Sequence, residues 1–378
     1  MMLKEKTDII IFSVSYGGGH RQVSYAVERA VSSINKDINI KVIDLFEYLS
    51  PPINKFTLYS YVTIMRNAPF IYGGLYELSY DLPLNNFLNR TMSKIGLKKL
   101  SGLINELNPK VVLSTYPTYG GILSELKRSS KVDVVSAVVI TDFVAHSQWI
   151  HPFVDQYFVP SDEVRYHLIK KGIPPETIEI TGIPINGNFL MSVDKAEVFK
   201  KYDLRDSLPL VFIMAGIFGM TRGVEEICSV IKELALEIQA VVLCGNDKKL
   251  FEKLTDMFSD NRNIKPILGL ADVHKLMDVS SFLISKSGGI TVSEALAKEL
   301  PVLIYKPLPG QEYHNAMFLS KTGAGIIIKN EGDLKNILKH IIADNACLKK
   351  MKEAARTIKR PGAAMDVAHS LIKKISMS

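Results

Sequence analysis

Three stretches of the 378-residue chain carry side chains in patterns that can do chemistry. The first is Gly17-Gly18-Gly19-His20, which follows a β-branched run at residues 8–15 (DIIIFSVS). Helical spacing of Val23, Ala26, Val27, Ala30, Val31 and Ile34 comes after it. Consecutive glycines let a ligand approach the backbone, and a helix start offers free N–H donors. The positive end of the helix dipole disfavours imidazolium at His20. A neutral imidazole accepts protons, which makes His20 a candidate general base. The bland alternative is a tight turn with a histidine at a helix start. A dinucleotide fingerprint fits poorly: Asp44 ends the next strand, but the third glycine of G-x-G-x-x-G would fall at Gln22.

The second stretch is Thr141-Asp142-Phe143, after the apolar run at 134–140. Strand carboxyl ends face the crevice of an open α/β sheet, so Asp142 is a candidate base or hydroxyl ligand. Its alternative role is a helix N-cap. His146 and His151 stand five apart, with no cysteine or third histidine near them, which argues against zinc.

The third stretch is Ser287-Gly288-Gly289 with Thr291-Val292-Ser293-Glu294, between a strand at 282–285 and a helix to about Leu300. Bare N–H groups at such a helix start suit a diphosphate. Glu294 offers a carboxylate to two ribose hydroxyls. The competing reading is a capping box, because Thr291-x-x-Glu294 has its spacing. A strand at 301–305 then leads to Pro309-Gly310-Gln311-Glu312-Tyr313-His314-Asn315. Gln311, Glu312 and Asn315 bring donors and acceptors to the same sheet edge, as a ligand with many hydroxyls requires.

The elements that must position these residues alternate strand and helix. Short buried strands are expected at 8–15, 38–43, 111–114, 134–140 and 156–159, and the pattern restarts at 210–214, 240–244, 264–268, 282–285 and 302–305. That is an α/β chain with two Rossmann-like halves. Residues 1–184 form the first, 185–357 the second, and 358–378 a terminal helix that returns to the first. An insertion at 51–104 breaks the rhythm. It is crowded with aromatic and aliphatic groups, then carries Arg90, Lys94, Lys98 and Lys99 with no acidic residue over 85–104. Composition fits two readings equally: a surface that dips into lipid, or ordinary packing under a basic face.

Composition narrows the classes. Apolar residues are 47% and charged residues 22%, which excludes a mainly disordered or rod-like chain. Three scattered cysteines form neither a disulfide framework nor a zinc pattern, as expected in a reducing cytoplasm. The net charge of +7 suits an anionic partner, but the basic residues are spread over both halves, against a nucleic-acid footprint. No apolar run approaches the ~20 residues of a spanning helix, and the mixed charges of Lys4, Glu5 and Lys6 do not read as a signal peptide.

Ser-Lys-Ser-Gly-Gly-x-Thr-x-x-Glu-Ala at 285–295, with Pro-Gly-Gln-Glu-x-x-Asn at 309–315, resembles the nucleotide-sugar half of glycosyltransferase family 28. Tyr-Gly-Gly-Gly-His-Arg (16–21), Thr-Tyr-Pro (115–117), Thr-Asp-Phe (141–143), His-Ser-Gln-Trp-Ile-His-Pro (146–152) and Thr-Gly-Ile-Pro-Ile (181–185) are similar to one branch of it. That branch holds the diacylglycerol glycosyltransferases, among them the monogalactosyldiacylglycerol synthases and the processive diacylglycerol β-glucosyltransferases. The resemblance implies a GT-B fold, two Rossmann-like domains facing a cleft, with inversion at the anomeric carbon. It implies no metal and no cofactor, in keeping with the missing D-x-D motif. UDP-sugar and diacylglycerol would be substrates, at the inner face of the cell membrane. Glucose is favoured over galactose, and the oligomeric state is left open.

Carried over by position, the resemblance gives Glu294 the ribose and Ser287, Gly288 and Gly289 the diphosphate, with Gly216 and Gly219 nearby. Leu270 would offer its backbone to uracil, and Gln311, Glu312 and Asn315 would surround the sugar or second phosphate. His20 and Asp142 would serve the reacting hydroxyl. Gly18, Gly19 and Tyr116, with Arg90, Lys94, Lys98 and Lys99, would meet the acceptor and the membrane. Two rival functions are a family-28 transferase with another lipid acceptor, such as an undecaprenyl-linked muropeptide, and a UDP-sugar sensor without turnover.

Overall fold

A computed structural model describes residues 7–14, 18–44, 47–48, 63, 69–80, 88–215, 223–234, 238–269 and 272–377. For residues 69, 71, 72, 75, 79 and 88–96 only the backbone is described. The chain divides into two units, Met1–Gly187 with Arg360–Ser378, and Asn188–Lys359.

The first unit is built on a six-stranded parallel sheet in the order β2-β1-β3-β4-β5-β6. Its strands are β1 (Ile9–Ser13), β2 (Ile40–Asp44), β3 (Val111–Ser114), β4 (Val135–Val139), β5 (Gln156–Val159) and β6 (Ile178–Ile180). Every residue of β1, β3 and β5 is buried, which is why these strands read as continuous apolar runs and not as alternation. Helix α1 (Gly19–Ile34) buries Val23, Ala26, Val27, Ala30 and Val31, one stripe at 3.6-residue spacing. Next in chain order come α2 (Pro69–Tyr80), α3 (Leu88–Leu107), α4 (Pro117–Arg128) and α5 (Asp162–Lys170).

The second unit repeats the plan, with sheet order β12-β11-β10-β7-β8-β9. Its strands are β7 (Leu210–Met214), β8 (Gln239–Leu243), β9 (Ile264–Ile267), β10 (Phe282–Ser285), β11 (Val302–Tyr305) and β12 (Gly325–Ile328). Its helices are α6 (Lys195–Lys201), α7 (Val224–Glu233), α8 (Lys248–Met257), α9 (Val273–Val279), α10 (Gly289–Ala297), α11 (Gln311–Thr322), α12 (Glu331–Ala343) and α13 (Ala346–Ile358). One core joins Val211, Ile213, Ile227, Val242, Ile284 and Leu303.

In each sheet the chain lays strands to one side of the first strand, then crosses to its other side. The reversal falls between β1 and β3 in the first unit and between β7 and β10 in the second. In open α/β sheets the crevice beyond the carboxyl ends at such a reversal accepts ligands. All paired strands are parallel, so the loops after β1, β3 and β4, and those after β7, β10 and β11, share an edge within their own unit.

The last helix, α14 (Ala363–Met377), belongs to the first unit and packs on α1. Lys110 Nζ donates to the Ile375 carbonyl at 3.0 Å, and Ser370 Oγ donates to Glu179 at 2.9 Å. The chain makes room for this return at Gly182, where φ is +90° and an added Cβ would lie 2.4 Å from Arg360 Cβ. Gly182→Ala should therefore cost about 1–3 kcal/mol in stability, through backbone strain and the clash. Gly102→Ala, in the middle of α3 with open space around it, should be neutral or stabilising by up to about 1 kcal/mol. Thermal unfolding of the two variants is the check; equal midpoints would contradict the packing described at Gly182.

Candidate active site

His20 is the second residue of α1, behind Gly18, an N-cap at φ 75° that makes no side-chain cap. Its Nδ1 lies 2.6 Å from the Thr115 carbonyl oxygen, directly after β3, and 3.4 Å from Thr141 Oγ1, directly after β4. A carbonyl can only accept, so Nδ1 carries the proton and Nε2 keeps its lone pair. Nε2 makes no hydrogen bond among the described residues. Burial lowers the His20 pKa to about 4, while the Thr115 bond acts in the opposite sense. The helix-start position pointed to a neutral ring, and the larger cause is desolvation. The Tyr116 ring stands edge-on to the imidazole at 5.2 Å.

Asp142 is buried at the same sheet edge, 9% exposed, beside Thr141. It makes no hydrogen bond to His20; the Thr115 carbonyl orients the ring instead. Loops after β1, β3 and β4 thus bring His20, Tyr116, Thr141 and Asp142 to one edge. Gly19 opens the helix that carries His20.

The other two histidines of the region serve the fold. His146 Nδ1 accepts from the Gln148 N–H at 3.1 Å, so Nε2 is the protonated nitrogen facing the Tyr76 carbonyl at 3.2 Å. Its ring lies 4.5 Å from Tyr76 and 5.5 Å from Tyr80, tying α2 to the loop after β4. His151 is buried, with Nε2 3.1 Å from the Pro117 carbonyl and its pKa pushed down to about 4 by desolvation. Gly121 exists for that ring: a Cβ there would lie 2.9 Å from His151 Cε1. No group of three His, Cys, Asp or Glu with metal-holding geometry occurs among the described residues.

In the second unit three helices at the edge where the strand order reverses start behind glycine caps, and at α11 the Leu308 carbonyl already takes the Tyr313 N–H at 3.1 Å. The N-caps of α7, α10 and α11 are Gly223, Gly288 and Gly310, and none makes a side-chain cap. By contrast Asp194, Asp247 and Asn330 cap α6, α8 and α12 with their side chains. First-turn N–H groups left uncapped form an anion site. Ser287 Oγ donates to the Glu312 carbonyl at 2.5 Å, and Lys286 Nζ meets Glu312 Oε1 at 2.9 Å. These contacts clip the start of α11 to the end of β10. Glu312 Oε2 is buried with no hydrogen-bond partner among the described residues, and Asn315 is fully buried on the same helix. Gln311 begins that helix.

Glu294 is 6% exposed, and its carboxyl group makes no hydrogen bond or ion pair among the described residues. Desolvation raises its pKa to about 8. The capping-box reading fails: α10 starts at Gly289, so Thr291 and Glu294 lie inside the helix and Gly288 is the cap. Gly216, Gly219 and Leu270 lie outside the described residues, as do the side chains of Arg90 and Lys94. Lys98 and Lys99 are exposed on α3.

Two features were missed from the residues alone. One is the Thr115 carbonyl, a backbone group no side-chain pattern reveals; only the position of Thr-Tyr-Pro after a strand hinted at it. The other is a pair of cationic ties at the second edge: Lys286 to Glu312, and Lys306 to Glu226 at 2.7 Å. Lys306 follows β11 with φ 47°, a left-handed backbone uncommon for lysine.

Comparison with known proteins bears on the family and the fold. Residues 20–185 match the model of the monogalactosyldiacylglycerol (MGDG) synthase family, and residues 148–368 match that of UDP-N-acetylglucosamine 2-epimerase. The epimerase match begins downstream of His20, Thr115 and Asp142, whereas the synthase match contains all three. A processive diacylglycerol β-glucosyltransferase of Bacillus cytotoxicus is 31% identical over 97% of this chain and 93% of its own length. Among solved structures, the S. aureus MnaA–UDP co-structure superposes with TM-score 0.65 at 17% identity, covering 99% of this chain and 98% of the other. Acinetobacter baumannii MurG does so with TM-score 0.62 at 14% identity, covering 97% and 99%. These likenesses show the GT-B fold, two parallel-sheet α/β units. With identity above 30% sustained along almost its whole length, the chain belongs to the diacylglycerol glycosyltransferase family, whose members include the processive diacylglycerol β-glucosyltransferases.

Proposed function

We propose that this glycosyltransferase moves glucose from UDP-glucose to the 3-hydroxyl of 1,2-diacylglycerol, with inversion at the anomeric carbon. The observation that carries the reading is His20, a neutral imidazole whose Nε2 lone pair is fixed at the strand-order reversal of the first unit. The hydroxyl proton passes to His20 Nε2. The oxygen's electron pair forms the bond to the anomeric carbon, and the bond from that carbon to the diphosphate breaks with its pair. UDP leaves, and His20 holds the proton as imidazolium against the Thr115 carbonyl. Charge developing on the leaving diphosphate meets the glycine-capped starts of α10 and α11, a fixed field that needs no reorganisation.

Asp142 holds the glycerol hydroxyl in place, with Gly18, Gly19 and Tyr116 shaping the acceptor side. In the second unit Ser287, Gly288 and Gly289 receive the diphosphate, together with Gly216 and Gly219. Glu294 accepts from the two ribose hydroxyls, Leu270 offers its backbone to the base, and Gln311, Glu312 and Asn315 take the sugar. The orphaned Oε2 of Glu312 supports that last role, because a sugar hydroxyl is the donor it lacks.

Glucose is preferred to galactose because the full-length relative at 31% identity bears the glucosyltransferase name. Work on the cytoplasmic membrane face is supported by exposed apolar groups on α2, Phe70 at 70% and Leu78 at 64%, and by exposed Lys98 and Lys99 on α3. No helix among the described residues is long and apolar enough to cross a membrane.

Two outcomes follow. Below pH 8 free Glu294 carries a proton, and two hydroxyl donors favour its carboxylate. UDP affinity should therefore rise with pH between about 7 and 8 and level off above that. Glu294→Gln should remove the slope and weaken binding by about 1–3 kcal/mol. Calorimetry across that range is the check, and a variant with the parent's affinity and slope would refute the ribose role.

Product analysis tests the reaction itself. With diacylglycerol vesicles and radiolabelled UDP-sugars, UDP-glucose should yield labelled glycolipid faster than UDP-galactose. His20→Ala should lower turnover about 10²–10⁴-fold and leave UDP affinity unchanged. Near-parental turnover in His20→Ala, with Asp142→Asn inactive, would make Asp142 the base. No labelled lipid from either sugar would overturn the function.

A further inference from the structure

Two hydrogen-bonding groups face Nδ1 of His20, and they do not favour the same tautomer. The Thr115 carbonyl at 2.6 Å demands a proton on Nδ1. The Thr141 hydroxyl at 3.4 Å can donate to Nδ1, which would put the ring proton on Nε2 and abolish its lone pair. Which partner wins depends on how firmly the Thr115 carbonyl is held. A buried pair of hydroxyls bears on that point. Ser24 and Thr115 are both 0% exposed, with their oxygens 3.1 Å apart. Ser24 Oγ donates to the His20 carbonyl at 3.0 Å. Thr115 Oγ1 reaches the Phe12 carbonyl at 3.2 Å and the His20 carbonyl at 3.3 Å, while the Thr115 N–H donates to the Phe12 carbonyl at 3.1 Å.

The two hydroxyls therefore pin the end of β1, the first turn of α1 and the residue after β3 to one another. We propose that Ser24 and Thr115 are positioning residues: their hydroxyls hold the Thr115 carbonyl against His20 Nδ1 and so keep Nε2 unprotonated and able to take the acceptor's proton. The inference rests on His20 being the base. It assigns a task to two buried hydroxyls that touch no reacting atom. A purely structural role would require only that the carbonyls be satisfied and would be indifferent to which imidazole nitrogen carries hydrogen.

The test uses the full chain with ¹⁵N-labelled histidine. In the parent at pH 7, the His20 nitrogens should show protonated Nδ1 and bare Nε2. Thr115→Val keeps volume and carbonyl but removes the hydroxyl, and should shift population toward the Nε2-protonated ring. Its kcat with UDP-glucose and diacylglycerol should fall by about tenfold or more, as expected of a mis-set tautomer, with KM for UDP-glucose unchanged. Thr115→Ser should restore both tautomer and kcat. Ser24→Ala should move both in the same direction as Thr115→Val and provides a second variant should that one fold poorly. A folded Thr115→Val with the parent's tautomer would overturn the positioning role. A shifted tautomer with unchanged kcat would instead overturn the base assignment beneath it.

Discussion

The hydrogen bond from His20 Nδ1 to the Thr115 carbonyl is the interaction on which the proposed acceptor half of the site depends. It joins the first turn of α1 to the residue after β3, across the reversal in strand order. It exists only because β1 and β3 are neighbours in register, Ile9 beside Val111 through Phe12 beside Ser114. A carbonyl in that position leaves the imidazole neutral at rest, yet it still stabilises the imidazolium that proton uptake would create. A carboxylate would bind the charged ring more strongly and raise its resting pKa.

The two units use burial in parallel ways. In the first, desolvation keeps a histidine uncharged, with pKa near 4. In the second, desolvation keeps a glutamate uncharged, with pKa near 8. Both groups stand at the carboxyl edge of a parallel sheet, on helices whose N-caps are glycines. An uncharged side chain in a buried pocket costs far less than an ionised one, and ligand hydrogen bonds can draw out the charge when it is needed. Glycine-capped helix starts supply the fixed positive potential nearby. Tight ties such as Ser287 to Glu312 and Lys286 to Glu312 hold the edge together.

Much of this was legible in the residues. Runs such as IIIFS and VVLS signal strands buried on both faces, and Gly-Gly before a helical stripe marks the helix starts of α1 and α10. Glu294 and His20 stood out because their types and places suited proton and hydroxyl chemistry. Spacing misled at Thr291-x-x-Glu294, since two glycines let the helix begin earlier than the cap pattern supposes. The partner of His20 was illegible because it is a main-chain oxygen 95 residues away in sequence. The conspicuous His146 and His151 proved to be braces, one under α2 and one against Gly121. Sequence shows that such histidines are buried only once their neighbours in space are known.

Titrating His20 by ¹⁵N NMR in the free protein tests the central claim most directly. If burial keeps this ring neutral beside a carbonyl, its midpoint should lie near pH 4, well below an ordinary histidine at about 6.5. A midpoint at 6.5 or above would contradict it, showing a solvated or carboxylate-paired imidazole.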